Sequence, residues 1–201
     1  MKWISIRSAI AILALLGTSF FFLNSQLEAQ TAKVSGVYLT ADDYQNHRLS
    51  FMGQCGSKDH GVELHDFLHK SYIHVKHDSK KKRYEKKNLF GLQACDGRNF
   101  RFVSNLEYQI VESKDLYIYM RESWVAHGRS TQTVQDYYFS VGGDGPIQAL
   151  TFRNLKTTFP DNLRFLGLVA SRIEDDRELA QYDRSHQTFA VNRLLLESRE
   201  Q

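Results

Sequence analysis

Between residues 34 and 150 apolar and polar side chains alternate, mostly with a period of two, the mark of strands with one buried face. Leu116, Ile118 and Met120 fall on one side, and Tyr117, Tyr119 and Arg121 on the other. Phe100 and Phe102 alternate with Arg101 and Val103 in the same way, while Gln135, Tyr137, Phe139 and Val141 oppose Asp136, Tyr138 and Ser140. A glycine-rich turn at residues 142–146 ends that last run. The spacers at 104–105 and 113–115 are too short for a parallel crossover, so they predict hairpins and antiparallel pairing.

From Thr151 onward the period lengthens. Pro160 is placed where a first helical turn tolerates a missing amide hydrogen, and Leu163, Leu166, Ala170 and Ile173 then share one face. Asp175 and Glu178 have the spacing of a capping box and predict a short helix through Gln181. Asp183 or Ser185 is expected to cap a third helix, whose seam is Ala190, Val191, Leu194 and Leu195. The fold class expected is α+β: an antiparallel meandering sheet, or a partial barrel, with a C-terminal helical segment. Residues 34–150 form its mainly β part and residues 151–201 its mainly helical part.

The N-terminus sets the compartment. Lys2 and Arg7 precede an apolar stretch over residues 9–23 and a polar stretch over 24–30, the layout of a signal peptide. Cleavage after Ala29 leaves a single mature domain of residues 30–201, periplasmic or secreted. With no cysteine at that junction, a lipid anchor is not expected. The alternative is an uncleaved anchor helix from Trp3, whose apolar length Arg7 and the Ser, Thr and Gly interruptions shorten.

A composition of 42% hydrophobic and 24% charged residues, with 12 Gly and 2 Pro, excludes collagen-like and wholly disordered classes. The formal charge of +3, which loss of Lys2, Arg7 and Glu28 reduces to +2, implies no global polyanion partner. Export argues further against nucleic acid. Cys55 and Cys95, the two cysteines, are expected to pair in an oxidising compartment. Two separate thiols are the alternative, and no Cys-x-x-Cys supports a redox site.

One stretch carries a family resemblance. Gly36-Val37-Tyr38-Leu39-Thr40, followed by Asp42-Asp43-Tyr44 and Asn46, resembles the start of the mature chain in uncharacterised exported proteins of Bacteroidota. Leu89-Phe90-Gly91, Asp96-Gly97 leading into Phe100-Arg101-Phe102, and Tyr108-Gln109-Ile110 before Leu116-Tyr117-Ile118-Tyr119 echo the same group. Tyr44 stands where these proteins often show Phe. The resemblance covers roughly the first half of the mature chain. It implies an exported envelope protein of a Gram-negative bacterium and carries over no catalytic residue.

Six of the eight histidines fall between residues 47 and 77: His47, His60, His65, His69, His74 and His77. His65 and His69 have the i, i+4 spacing that puts two imidazoles on one helix face. Asp66 replaces the Glu of the zinc-protease motif and is one methylene shorter, which disfavours a general base there. A non-catalytic site for zinc or another transition metal needs only His65, His69 and a third ligand, His74 or His60. The competing reading gives each imidazole a local hydrogen bond. On a strand His74 and His77 point to opposite faces.

Lys80, Lys81, Lys82, Arg83, Lys86 and Lys87 follow the turn-like Asp78-Ser79 and read as the tip and return strand of a hairpin. Lys80, Lys81, Lys82 and Arg83 either make weak contact with anionic lipid or keep a solvated edge from pairing. Asp183 and His186 have the spacing of an acid–base pair, and Tyr117, Tyr119 and Tyr138 either line a ligand face or lie beneath the C-terminal helices. The function expected is an exported, non-enzymatic and cofactor-free binding or interaction module for an envelope protein or ligand. The alternative is a metal-binding or metal-dependent protein using the histidine-rich residues 60–77.

Overall fold

Alternation over residues 34–150 does produce antiparallel strands. The computed structural model describes residues 33–64, 70–127 and 130–200, so the signal peptide expected over residues 1–29 lies outside them. In chain order the elements begin with β1 (Val34–Tyr38), the one-turn helix α1 (Ala41–Gln45) and β2 (Ser50–Gln54). Next come β3 (Gly61–Glu63), β4 (Tyr72–His77), β5 (Lys80–Glu85) and β6 (Gly91–Gln93). The strands β7 (Asn99–Val103), β8 (Leu106–Ser113), β9 (Leu116–His127), β10 (Ser130–Val141) and β11 (Gln148–Ala149) follow. Eight of these make one sheet in the order β11-β10-β9-β8-β7-β6-β1-β2, every neighbouring pair antiparallel. The sheet is an open meander with β2 and β11 at its edges, not a closed barrel. Between β2 and β6 the chain makes a second sheet, β3-β4-β5.

The hairpin turns at 78–79 and 104–105 put two consecutive residues at positive φ: Asp78 at 50° and Ser79 at 62°, Ser104 at 50° and Asn105 at 69°. This is the twist-matched two-residue loop that Asn, Asp and Ser tolerate.

Both faces of the main sheet are covered at its centre. On one face Leu116, Ile118 and Phe139 pack against Leu155, Phe165, Val169, Val191 and Leu194 of the C-terminal segment. The same face, at its other end, carries Val37, Leu92 and Phe102 against Ile73 and Val75 of the second sheet. On the opposite face Tyr108, Tyr117 and Tyr119 pack with Tyr38, Tyr44 and Phe90. Tyr117 thus lies beneath α1, where it meets Tyr44 and Gln45, and the tyrosine face is the one turned away from the C-terminal helices.

A bulge in β8 links the faces. Ile110 pairs with Tyr119 and Glu112 with Ile118, so Val111 is the extra residue. The half-step turns Glu112 from the tyrosine side to the helical side, where it accepts hydrogen bonds from Thr188 Oγ1 (2.7 Å), Asn192 Nδ2 (2.6 Å) and the Phe189 amide (3.3 Å).

The helical part differs from the periodicity reading in phase. α2 (Phe152–Thr158), unforeseen, is capped by Thr151, and α3 (Leu163–Arg172) by Asn162, whose side chain accepts from the Phe165 amide. Pro160 stands in the turn before α3. The buried stripe of α3 is Phe165, Leu166 and Val169, whereas Leu163 is 75% exposed and Ala170 is also exposed. A 3-10 turn, Asp176–Ala180, takes the place of the second helix; Asp175 caps it through the Arg177 amide, not reciprocally with Glu178. A small hairpin, β12 (Tyr182–Asp183) and β13 (Thr188–Phe189), precedes α4 (Ala190–Glu197). Neither Asp183 nor Ser185 caps α4, whose first turn follows Phe189 with no side-chain cap. Its seam is the one expected, with Ala190, Val191, Leu194 and Leu195 all buried.

β9 and β10 are far longer than their neighbours. β8 pairs with β9 over residues 117–120 and β11 with β10 over 138–139, so the distal halves of β9 and β10 pair with each other alone among the described residues. This two-stranded ribbon carries Trp124, 74% exposed, opposite Thr133. No helix among the described residues is long and apolar enough to cross a membrane.

Candidate ligand cleft

Gly91 on β6 faces Arg101 on β7, and a Cβ at Gly91 would lie 1.8 Å from the Phe100 carbonyl oxygen. Glycine is what permits this close pairing of β6 and β7. Alternation then sends Phe102 into the second-sheet core and Arg101 to the tyrosine face. Arg101 is only 7% exposed. Its Nη1 donates to Tyr119 Oη (3.0 Å) and Ser140 Oγ (3.4 Å), and its Nη2 donates to the Asp144 carbonyl (3.1 Å). Ser140 Oγ donates to the Gly142 carbonyl (2.7 Å), so the 2.8 Å contact between the two hydroxyls has Tyr119 as donor. Burial pushes the Tyr119 phenol above its ordinary value, and those of Tyr38 and Tyr44 likewise, so these groups stay protonated.

The three acceptors of Arg101 among the described residues are neutral. Among the described residues no ion pair of 4 Å or less includes it. The guanidinium carbon lies 5.5 Å from the Phe90 ring centre and 5.8 Å from that of Tyr119, a cation–π setting. Arg101 borders an open cleft of about 310 Å³ where the chain leaves β1 and enters β6; Leu39, Lys87, Leu89, Phe90 and Asp144 also line it. At the opposite end of the same two strands Cys55 and Cys95 are bridged, with Cα atoms 5.7 Å apart. The bridge ties β2 to β6 across β1, so the strands that carry the cleft have a covalent staple at their far end.

Among the described residues no histidine lines this cleft. His60 Nε2 meets Ser35 Oγ at 2.8 Å, and its ring lies against Gly53, where a Cβ would come within 2.2 Å of it. Burial, reinforced by the His77 ring 6.3 Å away, pushes the His60 imidazole below its ordinary value. His74 points to the other face of β4, 3.9 Å from Glu63 and edge-on to Tyr72. His60 and His74 are therefore not brought together, while His65 and His69 lie outside the described residues. Among the described residues no group of three or more His, Cys, Asp or Glu could hold a metal ion.

A Ser–His–Asp cluster does occur in the β12–β13 loop. His186 Nδ1 is 2.8 Å from Asp183 Oδ2 and 3.0 Å from Ser185 Oγ. A proton relay needs acid and nucleophile on different ring nitrogens, and here both meet the same one. Asp183 also accepts from the Ser185 and His186 amides, so its task is to close the turn. The Ser185 and His186 hydrogen bonds hold its carboxyl far below the usual carboxylate range.

The basic run divides. Lys80, Lys81, Lys82 and Arg83 are exposed on β5, with Lys81 paired to Glu63 (2.6 Å) and Arg83 to Glu85 (2.6 Å). Lys86 instead is 1% exposed and paired with Glu107. Charge reversal of Lys80 and Lys82 is expected to leave thermal stability within about 1 kcal/mol of the parent. Calorimetry checks this, and a larger loss would mean that these side chains are held in contacts of their own.

Arg101 is the residue that sequence reading missed as a site. It reads there as the polar partner of Phe100 and Phe102, and a polar residue in an alternating strand is ordinarily solvated. The available signal was the row of tyrosines on the same face, which marks a covered surface on which a charge is buried. Comparison with family models, with curated proteins and with solved structures finds no match for this chain.

Proposed function

We propose that this chain is an exported envelope protein, periplasmic or secreted, and that it works as a binding module with the Arg101 cleft as its ligand site. The observation that carries the reading is a buried cation whose hydrogen-bond partners among the described residues are all neutral, placed at the wall of an open cleft. A buried charge is costly unless an opposite charge compensates it. A fold that needed only stability would use an apolar side chain there or supply a carboxylate. The Cys55–Cys95 bridge supports the exported part of the reading, because such bonds persist in oxidising compartments.

Mass spectrometry of the exported protein tests the compartment: Gln30, free or cyclised, is the expected first residue. An intact Met1 chain held in the membrane would overturn export. Elemental analysis of the mature protein separates binding from the metal-dependent alternative. Stoichiometric zinc, copper or nickel that disappears in a His65→Ala, His69→Ala variant would replace the present reading with a metal site at His65, His69 and His74.

A further inference from the structure

We propose that the ligand of this cleft is a small, singly charged carboxylate carried on an apolar or aromatic body; this rests on the cleft being the ligand site. Charge comes first. A guanidinium has five N–H donors in a planar fork that matches a carboxylate, and those of Arg101 make three hydrogen bonds among the described residues, all to neutral oxygens. Lys87, exposed at the rim, adds a second cation. The exposed Asp144 lines the same cleft, and its carboxylate repels a multiply charged anion more than a singly charged one. The balance of one buried cation, one rim cation and one rim anion therefore favours a monoanion over a phosphate.

Shape and polarity supply the rest. The remaining walls include Leu39, Leu89, Phe90 and Phe102, and Leu39 is 44% exposed there although it is a large apolar residue. A ligand body that covers Leu39 removes apolar surface from water, which inorganic anions cannot do. At about 310 Å³ the cleft is at the small end of ligand pockets, suited to a small molecule and not to a folded domain.

The test is titration of the mature, disulfide-bonded protein, followed by amide chemical shifts, with four probes: phenylacetate, hexanoate, phenylacetamide and inorganic phosphate. Phenylacetate and hexanoate are expected to give saturable shifts at residues 39–41, 87–90 and 101–102. Phenylacetamide, of the same shape but neutral, should bind weaker by on the order of tenfold, the usual effect of losing a charge-assisted hydrogen bond. Arg101→Gln should weaken phenylacetate similarly. Lys87→Glu, at an exposed position, gives the same comparison should Arg101→Gln fail to fold. Equal binding of phenylacetamide and phenylacetate, or tighter binding of phosphate, would overturn the carboxylate assignment while leaving the cleft as a binding site. Absence of saturable shifts with all four probes would remove the cleft reading as well.

Discussion

Replacing Glu107 by leucine is expected to lower the melting temperature by on the order of 10 °C. Lys86 sits in the 3-10 turn that follows β5, and its ammonium reaches from the second sheet to the β7–β8 hairpin. There it pairs with Glu107, donates to the Asn105 carbonyl at 3.0 Å and lies 5.7 Å from the Phe102 ring centre. At 1% exposure it has almost no access to water once its carboxylate is gone. Removing one partner of a buried ion pair costs about 3–5 kcal/mol, because the other charge remains buried. A domain of this size loses roughly 2–4 °C per kcal/mol. The double variant Lys86→Met, Glu107→Leu should recover most of the loss, since an apolar pair of similar volume carries no orphaned charge. Calorimetry of the parent, the single variants Glu107→Leu and Lys86→Met, and the double variant decides it: a Glu107→Leu melt within about 2 °C of the parent, or strict additivity in the double variant, would show that the pair does not hold the two sheets together.

Reduction of the Cys55–Cys95 bridge should have an effect of comparable size. The bridge closes a loop of about 41 residues, for which chain entropy gives roughly 4 kcal/mol. That loop contains the whole second sheet, so reduction frees both the strand pair at β1 and the span that carries β3, β4 and β5. A fall in melting temperature of several degrees in reducing buffer, reproduced by Cys55→Ser, Cys95→Ser without reductant, is the expected outcome. Thiol titration of unfolded, unreduced protein should find almost no free thiol; two per chain would contradict the bridge.

Much of the sheet was legible because its signal is local. Leu116, Ile118 and Phe139 lie on a single face as their spacing requires, and the short spacers are hairpin turns. The phase of α3 was not, because two apolar stripes overlap in its sequence. Leu163 and Ala170 fit one, Phe165 and Val169 the other, and packing against the sheet selects the second. Buried polar residues were hidden for a different reason. Arg101 occupies an outward position of an alternating strand, Lys86 belongs to a run of exposed lysines, and Glu112 changes face through a bulge that leaves no mark in composition. Each depends on what covers the strand from elsewhere in the chain. The candidate cleft was invisible in the sequence for that reason, although Phe100-Arg101-Phe102 and Leu89-Phe90-Gly91 both figured in the family resemblance.

The ribbon formed by the ends of β9 and β10 makes the protein its own optical reporter. Of its two tryptophans, Trp3 belongs to the expected signal peptide, so Trp124 is the indole left to the mature chain. With its ring already largely in water in the folded state, its emission should hardly change when the core melts. Unfolding followed by tryptophan fluorescence would then look flat while circular dichroism records the transition. The same insensitivity leaves the indole free to report other events: a blue shift in Trp124 emission would signal that something has covered the ribbon, with little background from the rest of the fold.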